Sequence, residues 1–226
     1  MNFNNILAFL TELSKNNNRE WFNSNKEKYL QVKTEFDQII HEFIPRIRSI
    51  DPSIGSLEAK DCVFRIYRDV RFSKNKDPYK IHFGAYISQG GRKGKKAGYY
   101  LHIQPGQSFI AAGAYMPEPE LLKEIRYEII EKIVEFNKII ENKEFKKYFS
   151  TLQGEKLKTL PKGFPKDFEY LELLKLKSFE ISHSLSEVQL DSPNINNYLL
   201  QLVEIAYPFN HFMNEVILNV LEDKQN

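Results

Sequence analysis

Residues 62–88 read CVFRIYRDVRFSKNKDPYKIHFGAYIS, and the fold turns on how this stretch is read. From 62 to 72 the apolar side chains fall mainly on even positions: Cys62, Phe64, Ile66, Val70 and Phe72. A period of two predicts a strand, with Val63, Arg65, Tyr67, Asp69 and Arg71 on its other face. Arg68 interrupts the apolar row, so the strand is expected to bend or end near it. Residues 73–78 carry turn chemistry, and Pro78 holds Asp77 extended. Alternation resumes with Ile81, Phe83, Ala85 and Ile87 against His82, Gly84, Tyr86 and Ser88. The expectation is two strands joined by a charged loop.

The flanks extend the pattern. Tyr99, Leu101 and Ile103 alternate with Tyr100, His102 and Gln104, Pro105-Gly106 marks a turn, and residues 108–115 make a further strand rich in alanine and glycine. Strands so closely linked predict an antiparallel meander over residues 58–116. Residues 1–50 read as helices, with Asn16, Asn17 and Asn18 as capping side chains and Pro45 as a kink or early end. A long helix is expected over 117–150. A loop-rich region with a strand at 175–182 follows over 151–190. A C-terminal helix over 191–224, opened by Asp191-Ser192-Pro193, is kinked at Pro208. The fold class expected is α+β: a single domain of mainly antiparallel sheet, roughly four to six strands, flanked by N-terminal and C-terminal helices.

At 226 residues the chain can bury a core without help from disulfides or metals. Its 42% apolar and 27% charged residues are those of an ordinary globular protein, and a net charge of +2 is too even to declare a nucleic-acid binder. Cys62 is the sole cysteine, which excludes an intrachain disulfide and a thiolate zinc site within one chain. No basic leader opens the sequence and no run is long enough to span a membrane, so a cytoplasmic protein is expected, with no membrane partner.

The charge bias is local. Residues 62–80 hold six basic side chains against two acidic ones. Arginines on one strand face lie roughly 7 Å apart, where two like charges repel by about 0.6 kcal/mol in water and about 2.4 at an effective dielectric near 20. Something negative must offset this. Asp61, Asp69, Asp77 and Glu58 are local candidates for an internal network, and a bound phosphate or carboxylate is the other. The glycine-rich residues 89–96 do not form a phosphate-cradling P-loop: Lys96 stands where Ser or Thr should be, and a strand follows. They read as a hairpin tip with a solvated charge run.

Several stretches together resemble an uncharacterised bacterial family, domain of unknown function 2461. They are Asn17-Asn18-Arg19-Glu20-Trp21-Phe22, residues 64–74, Pro78-Tyr79-Lys80, residues 97–103, Met116-Pro117-Glu118-Pro119, and residues 173–179. The chain departs from the family pattern at Lys74-Asn75-Lys76-Asp77, where the family has Lys-Asp-Lys-Thr. The resemblance implies one shared compact domain and supplies no activity.

The candidate anion-binding residues are Arg65, Arg68, Arg71, Lys74, Lys80, Tyr67 and Lys177, with His82 and His102 as acid or base near neutral pH. The expected ligand is a small phosphorylated or carboxylated molecule in a pocket containing Arg65, Arg71 and a histidine. His82, His102 and Asp69 are a ligand set that metals use. No close spacing supports one, and neither metal nor cofactor is expected. The alternative is a nucleic-acid or protein interaction module built on Arg71, Lys74, Lys76, Lys80 and the tip Arg92 to Lys96. The third reading is a purely structural arginine–aspartate network. Ser73, Ser88 and Ser178 lack a nucleophile-elbow context. Nothing in the sequence sets the oligomeric state.

Overall fold

Asn18 sits extended and accepts a hydrogen bond from the Trp21 amide at 2.9 Å, starting a helix as an N-cap side chain does. In the computed structural model, which describes residues 1–149, 152 and 154–223, this helix is the second of three at the N-terminus: α1 (Asn4–Lys15), α2 (Arg19–Ser24) and α3 (Lys26–Ile50). α3 does not end at Pro45. The amide that proline lacks would have bonded the His41 carbonyl, and both residues face solvent, where water can satisfy that oxygen.

The regular strand expected over 62–72 does not form. α4 (Ala59–Cys62), capped by the Asp61 carboxylate on the Glu58 amide at 3.1 Å, takes up its first residue. Beyond it the chain is extended but pairs only at isolated bridges, Val63 with Ala85 and Tyr67 with Tyr79. The alternation fails at both ends: Val63, expected outward, is buried, and Phe72, expected inward, is 96% exposed.

The sheet comprises β1 (Phe83–Ile87), β2 (Gly98–Ile103), β3 (Ser108–Ala114) and β4 (Phe179–Leu185), antiparallel and adjacent in that order. α5 (Pro119–Glu131), α6 (Ile133–Ile140), α7 (Lys143–Phe149) and α8 (Leu171–Leu174) lie between β3 and β4. The single helix expected over 117–150 is thus divided. Lys132 leaves helical geometry, and Asn142 caps α7 by accepting from the Glu144 amide at 2.9 Å. α9 (Glu187–Asp191), opened by a Ser186–Gln189 capping box, precedes α10 (Ile195–Asp223), so the last helix starts later than Asp191-Ser192-Pro193 suggests. Positions 150, 151 and 224, where three expected boundaries fall, lie outside the described residues. The architecture is α+β, helices flanking one antiparallel sheet.

One sheet face is the core. Phe83, Ala85 and Ile87 pair in register with Ile103, Leu101 and Tyr99, all buried, and α10 and α3 pack over this side. The opposite face carries two cross-strand rows: Gly84, His102, Phe109 and Ser184, and Tyr86, Tyr100, Ala111 and Ser182. Tyr100 lies over Gly84, where a Cβ would come within 2.4 Å of its hydroxyl. Among the described residues no helix is long and apolar enough to cross a membrane.

Candidate functional site

The bridges beside β1 are out of step. Four residue steps from Val63 to Tyr67 oppose six from Tyr79 to Ala85. The Phe64 amide bonds the Gly84 carbonyl at 2.9 Å and the Lys80 amide bonds the Ile66 carbonyl at 2.8 Å, so the surplus falls at Ile81 and His82. Such a bulge bends the strand and re-aims its side chains. Here it turns His82 into a hollow of about 420 Å³ lined by Asn17, Arg68, Asp69, Asn75, Asp77, Tyr79, Lys80, Ile81 and His82.

Asn17 fixes the wall of this hollow. Its side-chain amide donates to the Tyr79 carbonyl at 3.0 Å, and its oxygen accepts from the Tyr79 amide at 3.1 Å, as a neighbouring strand would. Phe22 stacks on the Tyr79 ring at 3.8 Å, and Tyr67 closes the cluster 5.5 Å from Tyr79 and edge-on to Phe22. Tyr67 therefore packs the wall. Asn17→Ala is expected to lower stability by about 1–2 kcal/mol through the two lost bonds, read as a shift of the urea midpoint.

The cations divide by partner. Arg71 forms a two-pronged pair with Asp69, at 2.9 and 2.6 Å, and its hydrogen bonds hold the Asp69 carboxyl below the usual range. Arg68 lines the hollow, where its guanidinium donates to Ser73 Oγ at 3.3 Å and meets no carboxylate among the described residues. Lys80 places its ammonium 5.4 Å from the Phe64 ring centroid; burial first, then Arg65, pushes its pKa down. Arg65 and Lys74 are exposed and do not line the hollow. Lys177 precedes β4, at the far edge of the sheet, and pairs with Glu155 at 2.9 Å. The hollow thus gathers Arg68, Lys80 and a histidine, not the expected Arg65 and Arg71. The tip Arg92 to Lys96 follows the other end of β1, and its Lys95 pairs with Glu118 at 2.9 Å.

The two histidines are neighbours, with ring centroids 4.2 Å apart, and His102 stacks in turn on Phe109 at 4.6 Å. Gln104 donates to Gln107 at 2.8 Å, so its oxygen accepts from His102 Nε2 at 3.1 Å. His102 Nδ1 then accepts from the Tyr100 hydroxyl at 3.0 Å. Both His102 nitrogens are engaged in this chain. His82 makes no side-chain hydrogen bond among the described residues. Burial, then His102, Lys80 and Arg68, pushes its pKa down to about 3. It enters the hollow as a neutral ring.

A family model described as a conserved hypothetical protein (DUF2461) matches residues 5–212. The chain belongs to that family. No curated protein and no solved structure matches it. The DUF2461 match takes in the N-terminal helices as well as the strand–loop stretch, and both contribute to the hollow's wall, the helical part through Asn17. Among the described residues no group of three or more His, Cys, Asp or Glu is placed to hold a metal ion. Asn17 and Asn75 are lining residues that pattern reading missed, and Asp77 is one expected only as an internal partner for the arginines. Asn17 reads as a cap and Asn75 as turn chemistry.

Proposed function

We propose that this protein binds a small phosphorylated or carboxylated ligand in the hollow beside β1. The observation that carries the reading is a pair of cations, Arg68 and Lys80, lining one cavity without a carboxylate partner among the described residues, while Arg71 is already paired with Asp69. The same stretch supports two roles: Arg71–Asp69 knits the loop, and Arg68 with Lys80 waits for an anion. Any chemistry on the ligand falls to His82, the imidazole that lines the cavity with its nitrogens unengaged among the described residues; with its pKa pushed down to about 3 the ring is a weak base, and an anion on Arg68 and Lys80 would raise its basicity.

The test is thermal shift and calorimetry against phosphomonoesters, dicarboxylates and short single-stranded oligonucleotides. Arg68→Ala is expected to weaken anion binding roughly tenfold or more, the loss of charge-assisted hydrogen bonds. Arg71→Ala is expected to weaken it less, since it removes only the partner that neutralises Asp69 at the hollow's edge. An Arg68→Ala protein that responds like wild type sinks the reading. A second reading has one observation in its favour: Phe72 is exposed at the loop tip with the Arg71 guanidinium 5.8 Å from its ring centroid, a surface on which a base could stack. Oligonucleotide binding lost in Phe72→Ala and kept in Arg68→Ala would select it.

A further inference from the structure

We infer that the ligand is a phosphomonoester on a polyhydroxylated body, with Arg68 and Lys80 on the phosphate and Asp77, Asn75 and His82 on the hydroxyls. This rests on the anion reading above and narrows it. The hollow is not uniformly basic. Asp77 lines it too, at the exposed rim, and its carboxylate has no hydrogen bond or ion pair among the described residues. A bare anion gains nothing from that carboxylate except repulsion. A ligand that is anionic at one place and donates hydrogen bonds at another satisfies both groups.

The remaining polar groups fit such a body. Asn75 spends its oxygen on the Asp77 amide at 2.8 Å, which leaves its NH₂ to donate into the hollow. His82, neutral and without a side-chain hydrogen bond among the described residues, offers one donor and one acceptor, the complement of a hydroxyl. Asn17 is tied to the Tyr79 backbone through both its amide nitrogen and its oxygen and acts as wall. A cavity of about 420 Å³ has the size of a pocket for a small organic molecule and exceeds what an inorganic anion needs. Two cations suit the dianion of a phosphomonoester better than a single carboxylate. An ammonium-bearing body would find Asp77 but would also set a third positive charge beside Arg68 and Lys80, so hydroxyls, which donate without adding charge, fit the lining better.

Calorimetry on the whole chain separates the outcomes, with glucose 6-phosphate, glucose, inorganic phosphate, phosphoethanolamine and citrate as probes. Glucose 6-phosphate is expected to bind roughly tenfold tighter than inorganic phosphate or phosphoethanolamine, and glucose alone not at all. Asp77→Ala is expected to erase most of that preference while leaving inorganic phosphate as tight or tighter. Asp77→Asn, which keeps an oxygen acceptor, is expected to restore part of it. Equal binding of glucose 6-phosphate and inorganic phosphate overturns the inference, as does an unchanged preference in Asp77→Ala. Preference for phosphoethanolamine, or for citrate with no response to any phosphate, also overturns it and leaves the anion reading standing. Silence toward phosphates and citrate alike overturns both.

Discussion

Replacing Asn214 with alanine is expected to lower stability by about 3 kcal/mol, because it strips two hydrogen bonds from a peptide that has no water to turn to. Asn214 lies on the buried stripe of α10. Its side-chain oxygen accepts from the Ala97 amide at 2.9 Å, and its NH₂ donates to the Ala97 carbonyl at 3.1 Å. Asn210, one helical turn earlier, donates to the Gly98 carbonyl at 3.0 Å. Together they fasten the start of β2 to the last helix with the two-sided pairing a strand would otherwise give. Ala97 and Asn214 are both buried, so truncation leaves an amide and a carbonyl unsatisfied, at about 1–3 kcal/mol each. Urea denaturation should show the midpoint falling with an unchanged slope. Alanine at the exposed Asn197 on the same helix serves as control. A loss below about 1 kcal/mol would mean the clamp is incidental.

How far this was legible depends on the distance over which each signal acts. β1 and β2 could be read from local alternation because each lays one face on α10 or α3 and leaves the other half-open, which is what a period of two encodes. The same rule misled over 62–72. Ile66 is buried, but the chain leaves the sheet soon after, and Phe72 points to solvent although its parity matches. No local pattern announces that Ile81 and His82 have no partners across the bulge, yet that surplus shapes the hollow. Arg68 did leave a trace, as the cation that broke an apolar row. Asn17 left none: its partner Tyr79 is 62 positions away, and an asparagine between helices already has a sufficient explanation as a cap. Asn210 and Asn214 could have been found, since two amides four apart among Phe209, Phe212 and Met213 interrupt an otherwise apolar helix face.

Acid should expose His82. Its usual pKa is 6.5 and the fold pushes it down to about 3, by burial first and then by its neighbours His102, Lys80 and Arg68. Above pH 6.5 both folded and unfolded chains hold a neutral ring, and no stability depends on it. Between 6.5 and about 3 the unfolded chain takes up a proton that the folded chain refuses, so stability is lost as pH falls through that window. At about pH 4.5 the difference is at most roughly 2.7 kcal/mol, and since His82 keeps some contact with water, about 2 kcal/mol is expected. His82→Gln, which cannot titrate, removes this slope. The wild-type advantage over the variant should therefore shrink by about 2 kcal/mol between roughly pH 7 and pH 4.5, measured by urea denaturation at each pH. Two parallel curves would place His82 in an ordinary solvated setting. An anion seated on Arg68 and Lys80 would cancel part of the charge that depresses this ring, so the same experiment with saturating ligand should narrow the window from its acid end and reduce the loss. That links the acid response of the fold to occupancy of the hollow.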